Sequence, residues 1–281
     1  MRLFLTQLGW EFYKAAARPR TWLPFAVALL LEFAVSLALR HPLVRMAIAR
    51  DLWKMRWSFD EAFSGLTTAA HLLGEVAMVA GALGVALFAG EIVARECDDG
   101  TLRMILSRPG GRFRLLAQKL IVCVVYAVVL ALFNGGSALA VGLVFEGRGP
   151  LIMVAPHEEV IGTFDYATGL ERYCLAVALL TLSSFSGMVV ALAFSCFNMR
   201  PTAAVALSLT IFIADTCIRT APGFGAVRPW CATTRVLAWR QVFNDEIPST
   251  RLRRDYTQLA CWNAAWLAIG WLGFRRRDLK P

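Results

Sequence analysis

Residues Leu120–Phe145 read LIVCVVYAVVLALFNGGSALAVGLVF, and the stretch contains no charged side chain. A helix rises about 1.5 Å per residue, so about 20 apolar residues cross the ~30 Å hydrocarbon core of a bilayer. Apolar residues here surround most of the helix circumference, whereas a soluble helix shows one apolar stripe. The stretch therefore predicts a membrane-spanning helix.

Comparable apolar blocks recur along the chain. Together they predict spans at about 22–39, 66–90, 120–145, 173–197, 202–218 and 256–274. Of the 281 residues, 58% are hydrophobic and 17% charged, against roughly 25% charged in soluble domains. We predict an all-α integral membrane fold with six transmembrane helices, built as a single domain over residues 1–281. No soluble segment between the spans is long enough to house an enzyme.

The N-terminal residues 1–20 are too polar for the core of a signal peptide, because Glu11 and Lys14 interrupt them. At helical spacing the apolar residues gather on one side: Met1, Phe4, Leu5, Leu8, Phe12 and Ala15. This pattern predicts an interfacial helix that lies along the membrane surface and ends near Arg18-Pro19-Arg20.

The net charge is +9, and the Lys and Arg residues lie between the apolar blocks. Anionic lipid headgroups are the simplest counter-charge there, so we expect membrane lipids and no nucleic acid as partners. Six spans would place both termini on one side, together with residues 91–119 and 197–201. Lys and Arg divide almost equally between the two sides, although dense clusters at 112–119 and 275–277 favour a cytoplasmic N-terminus.

The longest strongly polar stretch between two spans reads EIVARECDDGTLRMILSRPGGRFRLLAQK, residues 91–119. Acidic residues at its start lead to Gly100, where we expect a tight entry into a short helix. Pro109-Gly110-Gly111 then predicts the end of that helix.

This stretch resembles the segment between the second and third spans of the ABC-2 family of ATP-binding-cassette permeases, which has the form E…E…GTL…LLS-P…R…K. The matching residues are Glu91, Glu96, Gly100, Thr101, Leu102, Leu106, Ser107, Pro109, Arg112 and Lys119. The six-span plan, the amphipathic start and the Phe-x-Arg-Arg-Asp ending at 274–278 agree with the same family.

The resemblance implies that residues 91–119 face the cytoplasm and that residues about 100–108 form a coupling helix. In this family the coupling helix rests in a groove of a separate ATPase subunit. Apolar anchors would enter a pocket there, and charged residues such as Arg108 would lie at the rim. Glu91 and Glu96 have Arg95, Arg103 or the partner as candidate ion-pair partners.

The family also implies the function and the assembly. The chain would be the permease subunit of an exporter in the plasma membrane (a bacterial inner membrane), with both termini cytoplasmic. It would pair with itself or with a paralogous permease and bind two copies of an ABC ATPase. No G-x-x-x-x-G-K-[ST] motif occurs, so the chain is predicted not to be an enzyme and to hold no cofactor or metal. ATP and Mg²⁺ would bind to the ATPase subunit.

Three acidic residues fall inside predicted spans: Glu32, Glu75 and Asp215. An acid at membrane depth is costly, so each is a candidate either for lining a conduit or for a polar contact between helices. Both interpretations stay open, with spans one, two and five as the candidate lining of a conduit between two copies.

The alternative function is a non-transport membrane receptor or an assembly scaffold with the same six spans. A membrane-embedded enzyme is disfavoured, because no convergent set of catalytic residues is present. The loop at 219–256 contains hydrophobic and Arg-rich segments that suit short helices dipping towards the membrane, or plain solvation. The substrate does not follow from the sequence.

Overall fold

The computed structural model describes residues 2–54, 63–101, 111–155, 160–221 and 223–276. The helices and strands are α1 Arg2–Ala16, α2 Pro19–Arg40, α3 Pro42–Lys54, α4 Gly65–Val76, α5 Ala82–Glu91, α6 Ala94–Asp98, α7 Arg112–Glu146, β1 Leu151–Ala155, β2 Val160–Phe164, α8 Tyr166–Ser195, α9 Pro201–Thr220, α10 Ala232–Val236 and α11 Ser249–Arg276. A π-helical turn, Ala77–Gly81, joins α4 to α5, and 3-10 turns lie at Arg228–Trp230 and Leu237–Phe243.

Five helical segments of the described chain are long and apolar enough to cross a membrane. They are Pro19–Arg40, Gly65–Asp98, Arg112–Glu146, Tyr166–Ser195 and Pro201–Thr220. The sixth predicted span, 256–274, forms a helix as part of α11 but is not among these five. Polar residues inside that stretch, Gln258 and Asn263, lower its mean hydropathy below that of the other spans. The chain is a multi-pass membrane protein, and the sixth crossing stays a prediction.

The helices run between two ends of the bundle, which we call the α1 end and the hairpin end. At the hairpin end Arg40 lies 3.9 Å from Glu146, and the Gly65 amide donates to the carbonyl of Gly147 at 3.0 Å. At the α1 end Arg112 donates to the backbone carbonyls of Phe274 (3.3 Å) and Arg275 (2.6 Å). The described N-terminal and C-terminal helix ends therefore lie at the same end of the bundle.

Small residues allow α4 and α7 to pack closely. A Cβ atom on Gly65 would lie 2.2 Å from the Gly147 oxygen, and one on Gly142 would lie 2.3 Å from the Gly65 oxygen. In lipid, where no hydrophobic force drives helices together, such close backbone approach stabilises the contact through van der Waals packing. Larger side chains at these two glycines would separate the helices.

Two short strands lie in the connection between α7 and α8, which the sequence suggested only as the region between two predicted spans. They form an antiparallel hairpin in which β1 and β2 pair from Leu151–Phe164 to Ala155–Val160. Leu151 and Met153 are buried in an apolar cluster with Tyr173 and Trp239. The fold is all-helical as predicted apart from this hairpin, whose residues Leu151, Ile152 and Met153 are buried against the helices.

Candidate functional site

The α-helix is interrupted where α5 ends, between Glu91 and Ala94, and we call this interruption the bend. The Ser195 hydroxyl, at the end of α8, accepts hydrogen bonds from the amides of Val93 (2.9 Å) and Ala94 (3.0 Å). Ser195 is fully buried. The interrupted α-helix leaves these two amides without an acceptor of its own, and Ser195 of α8 provides one. These hydrogen bonds fix the direction of α6.

Four charged side chains meet next to this bend, and we call them the buried ion cluster: Glu11, Lys14, Glu96 and Lys119. The Lys119 ammonium donates to both carboxylates, Glu11 and Glu96. Lys14 lies 2.5 Å from the same Glu11 carboxylate and 3.2 Å from that of Glu96. Two cations and two anions balance one another and join α1, α6 and α7.

Three members of the buried ion cluster are nearly closed to solvent, with side-chain exposures of 2% for Lys119, 5% for Glu96 and 10% for Glu11, whereas Lys14 is 40% exposed at its edge. Burying an unpaired charge is strongly unfavourable, and removing one member of a buried pair typically costs about 3–5 kcal/mol. These ion pairs therefore specify how α1, α6 and α7 fit together.

The ion pairs of the cluster keep Glu11 and Lys14 ionised despite their burial. Burial alone would raise the pKa of the Glu11 carboxyl, but the ammonium groups of Lys119 and Lys14 outweigh it and hold the pKa below its ordinary value. Burial alone would lower the pKa of Lys14, but the Glu11 and Glu96 carboxylates raise it above its ordinary value. Both groups are held in their charged forms.

A second, more exposed ion pair lies beside the cluster. The Glu91 carboxylate, at the end of α5, accepts from Arg20 at 3.0 Å and from Arg95 at 3.3 Å. The Arg20 side chain is 68% exposed, so water screens this contact. It links the start of α2 to the bend but contributes less stability than the buried ion cluster.

Residues of the predicted coupling segment divide into two groups. Leu102, Leu106, Ser107, Arg108 and Pro109 lie outside the described residues. Glu91, Glu96, Gly100, Thr101 and Arg112 lie within them. Gly100 has a φ of 69°, which favours glycine and provides the tight turn that the sequence predicts. Thr101 donates to the Glu96 carbonyl at 3.2 Å and closes this turn.

The two glutamates of this segment have different partners. Glu91 pairs with Arg95, one of the partners that the sequence offered. Glu96 points inward to Lys119 and Lys14. Sequence reasoning missed Glu11 and Lys14 as members of the site. The available signal was the pair of charges that interrupts the apolar side of α1.

Each of the three acids in the predicted spans has its own polar partner. Glu32 is fully buried on α2 and accepts from the Ser137 hydroxyl of α7 at 2.8 Å. The Glu75 side chain is 74% exposed and lies 3.7 Å from Arg240. Both acids therefore fit the interpretation of a polar contact between two segments of the chain. Their role in lining a conduit stays a prediction.

Asp215, near the end of α9, accepts from two successive backbone amides at the start of α10. The distances are 3.2 Å to the Ala232 nitrogen and 2.7 Å to the Thr233 nitrogen. Amides in the first turn of a helix have no partner within the helix, so a carboxylate there stabilises the turn. Asp215 thus fastens the segment that follows α9 to the bundle.

Five long apolar helices, joined at one end of the bundle by a buried ion cluster, define a multi-pass membrane protein. The family model of the ABC-2 family transporter protein matches residues 8–215. The chain therefore belongs to the ABC-2 family, whose membrane domain is a permease and not itself catalytic. The match includes all four residues of the buried ion cluster. A search of curated proteins gave no match.

Proposed function

We propose that this chain is the membrane-spanning subunit of an ATP-driven ABC-2 exporter and that a separate ATPase subunit drives it. The observation that carries the proposal is the buried ion cluster. It ties the segment that leads into the predicted coupling helix to α1 and to α7. Such a link is what a permease needs if movement at residues 100–108 is to reach the membrane.

In this proposal the ATPase subunit, not the permease, binds and hydrolyses ATP. The sequence has no phosphate-binding loop, so ATP and Mg²⁺ bind to the ATPase subunit. Two ATPase copies contact the two coupling segments of a permease pair, which is formed with a second copy or a paralogue. Closure of the ATPases pushes residues 100–108, and α6 transmits the displacement.

Two connections carry that displacement onward. The buried ion cluster passes it to α1 and α7, and the Ser195 hydroxyl passes it to α8. Closely packed helices move as units rather than deforming continuously, so a small displacement at one end becomes a tilt of whole spans. Access then alternates between the two faces of the membrane.

We further propose that α11 provides the sixth crossing. It runs beside α8 for most of its length: the Tyr256 hydroxyl donates to the Leu179 carbonyl at 2.9 Å, and Gly270 packs against Ala193. Its C-terminal end returns to the α1 end of the bundle. Six crossings place both termini on the cytoplasmic side of a plasma membrane, the inner membrane in a bacterium.

Membrane lipid is the expected partner of α1. Its exposed side chains include Leu5, Trp10 and Tyr13. Aromatic residues with an apolar body and a polar tip favour the boundary between headgroups and hydrocarbon. This composition supports an interfacial helix.

The outer faces of α2 and α9 support a conduit between two copies of the permease. Only 22% of the most apolar stretch of α2 is buried, and only 17% of that of α9. In each of the other three spans 56% of this stretch is buried. Among these five spans, α2 and α9 therefore offer the largest uncovered surfaces, and together with the second span they would line the conduit.

The coupling proposal is tested by co-purification with ATPases encoded by neighbouring genes. We expect Leu106→Asp to lose the ATPase, because a charge would replace an apolar anchor of the docking surface. Leu43→Asp is the matched control, since Leu43 is 67% exposed on α3 at the other end of the bundle. Equal ATPase recovery from both variants would contradict the proposal and favour a receptor or scaffold. Transport by vesicles that contain no ATPase would contradict the coupling to ATP hydrolysis.

A further inference from the structure

A cavity of about 140 Å³ lies inside the helix bundle of a single copy of the chain. Its walls come from the π-helical turn, α5, α7, α8, α9 and the segment around α10, and they are mainly apolar. Cavities of about 150 Å³ hold molecules the size of benzene, and apolar ones stay dry. The cavity is therefore large enough for part of a ligand, and its described walls all belong to one copy of the chain.

Several neutral polar side chains interrupt the apolar wall of this cavity, and four of them are incompletely paired. Each of these four has an atom with no hydrogen-bond partner among the described residues: Asn134 Oδ1, Ser186 Oγ, Thr233 Oγ1 and Trp239 Nε1. All four residues are at least nine-tenths buried. A buried polar atom without a partner typically costs about 1–3 kcal/mol, and most buried polar groups in native proteins are paired. Four of them around one cavity indicate a partner from outside the chain.

The charge of the wall defines the class of that partner. Asp215 is the one charged side chain among the described residues that line the cavity. Both of its oxygens already accept backbone amides, from Ala232 and Thr233. No cationic side chain of the described lining would balance an anion, and the one carboxylate already stabilises the start of α10, so we infer an uncharged ligand.

The π-helical turn Ala77–Gly81 gives the cavity one of its walls. Ala77, Met78 and Gly81 all line it. A π turn holds an extra residue within the helix and is found frequently at functional sites. The irregular backbone therefore coincides with the place where polar groups lack partners.

We propose that this cavity binds a neutral amphiphile with a hydroxyl-bearing head. The head hydrogen-bonds with Asn134, Ser186, Thr233 and Trp239, and the aliphatic chain lies along the apolar wall. A carbonyl or hydroxyl oxygen suits the indole donor of Trp239, and a hydroxyl proton suits the Asn134 oxygen. This site goes beyond the proposed coupling to an ATPase and depends on neither the ATPase nor a second permease copy.

The test is photolabelling of the full chain in phosphatidylcholine nanodiscs with a diazirine-bearing monoacylglycerol, followed by peptide mapping. We expect labelled peptides from the π-helical turn and from α8. Gly187→Leu should reduce labelling about tenfold, because its side chain occupies the cavity. A Cβ atom at Gly187 lies at an ordinary 3.5 Å from Val85, so the added side chain begins without a clash.

Gly136→Leu is the matched control, because Gly136 also lies in a spanning helix but has nothing within 4 Å of an added Cβ. Its labelling should equal that of the wild type. Equal labelling of the Gly187→Leu and Gly136→Leu variants would overturn the proposal.

Asn134→Leu tests the hydrogen bonding and keeps the experiment decisive if Gly187→Leu does not fold. The wild type should take up the monoacylglycerol probe in preference to a diazirine-bearing alkane of equal chain length. The variant should lose most of this preference, because its leucine side chain cannot hydrogen-bond. An unchanged preference, or a wild type that labels equally with both probes, would contradict the proposal.

The natural source of the ligand is identified by mass spectrometry of small molecules released from the purified protein. A neutral glycerolipid retained by Gly136→Leu and missing from Gly187→Leu identifies the bilayer as the source. A hydroxylated molecule other than a lipid, retained in the same pattern, identifies a transported cargo. If neither is retained and the probe labels both variants equally, the cavity does not bind an amphiphile.

Discussion

The buried ion cluster and the cavity both place polar side chains inside the bundle. All four charged groups of the cluster are paired with one another, whereas four neutral polar side chains of the cavity each have an atom without a partner among the described residues. Lys119 reaches two carboxylates in the cluster, whereas Asn134 and Ser186 in the cavity have unpartnered atoms in the described part of the chain. Paired charges resist separation and hold helices in one arrangement. Neutral groups without partners keep their hydrogen-bonding capacity for a ligand. The difference in pairing suits the buried ion cluster to the proposed transmission of movement, and it suits the cavity to the proposed binding of a molecule.

The largest effect is expected from removing Lys119, the cation that Glu11 and Glu96 share. Lys119→Ala leaves Glu11 and Glu96 buried with only Lys14 nearby, so we expect a loss of about 3–5 kcal/mol in the free energy of unfolding. Thermal unfolding in detergent or nanodiscs measures it. Arg20→Ala removes an exposed partner of Glu91 and serves as the control, with an expected change below about 1 kcal/mol. A Lys119→Ala protein as stable as the control would show that the cluster does not hold the helices together.

The second-largest effect on stability is expected from removing the Ser195 hydroxyl, which bonds to the bend. Ser195→Ala removes the acceptor of the Val93 and Ala94 amides, and we expect a cost of about 1–3 kcal/mol from leaving them buried without a partner. Ser184→Ala is the matched control, because its hydroxyl bonds to the Thr181 carbonyl one turn earlier in the same helix. Coupled ATPase activity should also fall in Ser195→Ala alone. Equal melting temperatures for the two variants would remove Ser195 from the transmission pathway.

Acid sensitivity distinguishes charged from neutral buried groups. Because the folded state lowers the pKa of Glu11, its contribution to stability is complete above its ordinary pKa of 4.5 and is lost as the pH falls below that value. We expect the melting temperature to fall between about pH 5 and pH 3. Glu11→Gln should be less stable than the wild type at pH 7 and should lose less on acidification. Parallel pH profiles for the two proteins would contradict the assigned charge of Glu11.

The smallest expected effect is a gain in stability at the cavity. In protein freed of bound amphiphile, Asn134→Leu replaces an unpartnered amide by an apolar group of similar size, so we expect it to be neutral or up to about 1 kcal/mol more stable. Added monoacylglycerol should stabilise the wild type and not the variant. A marked loss of stability in the ligand-free variant would show that Asn134 serves the fold rather than a ligand.

Most spans follow closely from local composition. The span predicted at 22–39 is Pro19–Arg40, and that predicted at 202–218 is Pro201–Thr220. Long apolar runs force a helix in lipid, because every backbone polar group must be satisfied within its own segment. The hairpin at β1 and β2 was not predicted, since its strands are stabilised by packing against helices that are distant in sequence. The span at 256–274 forms a helix, but its moderate hydropathy leaves the crossing as a prediction.

The sequence alone determined the membrane class, the approximate positions of the long apolar helices and the resemblance of residues 91–119 to the ABC-2 family, because each depends on residues close together in the chain. Only the tertiary structure decided that Glu96 faces inward, since its partner Lys119 is 23 residues away and the Lys119 partner Glu11 is 108 residues away. It also brought together the unpartnered polar groups of the cavity from α7, α8 and the segment around α10. Pairing or isolation of a buried polar group depends on which helices meet, and the local sequence does not specify those contacts.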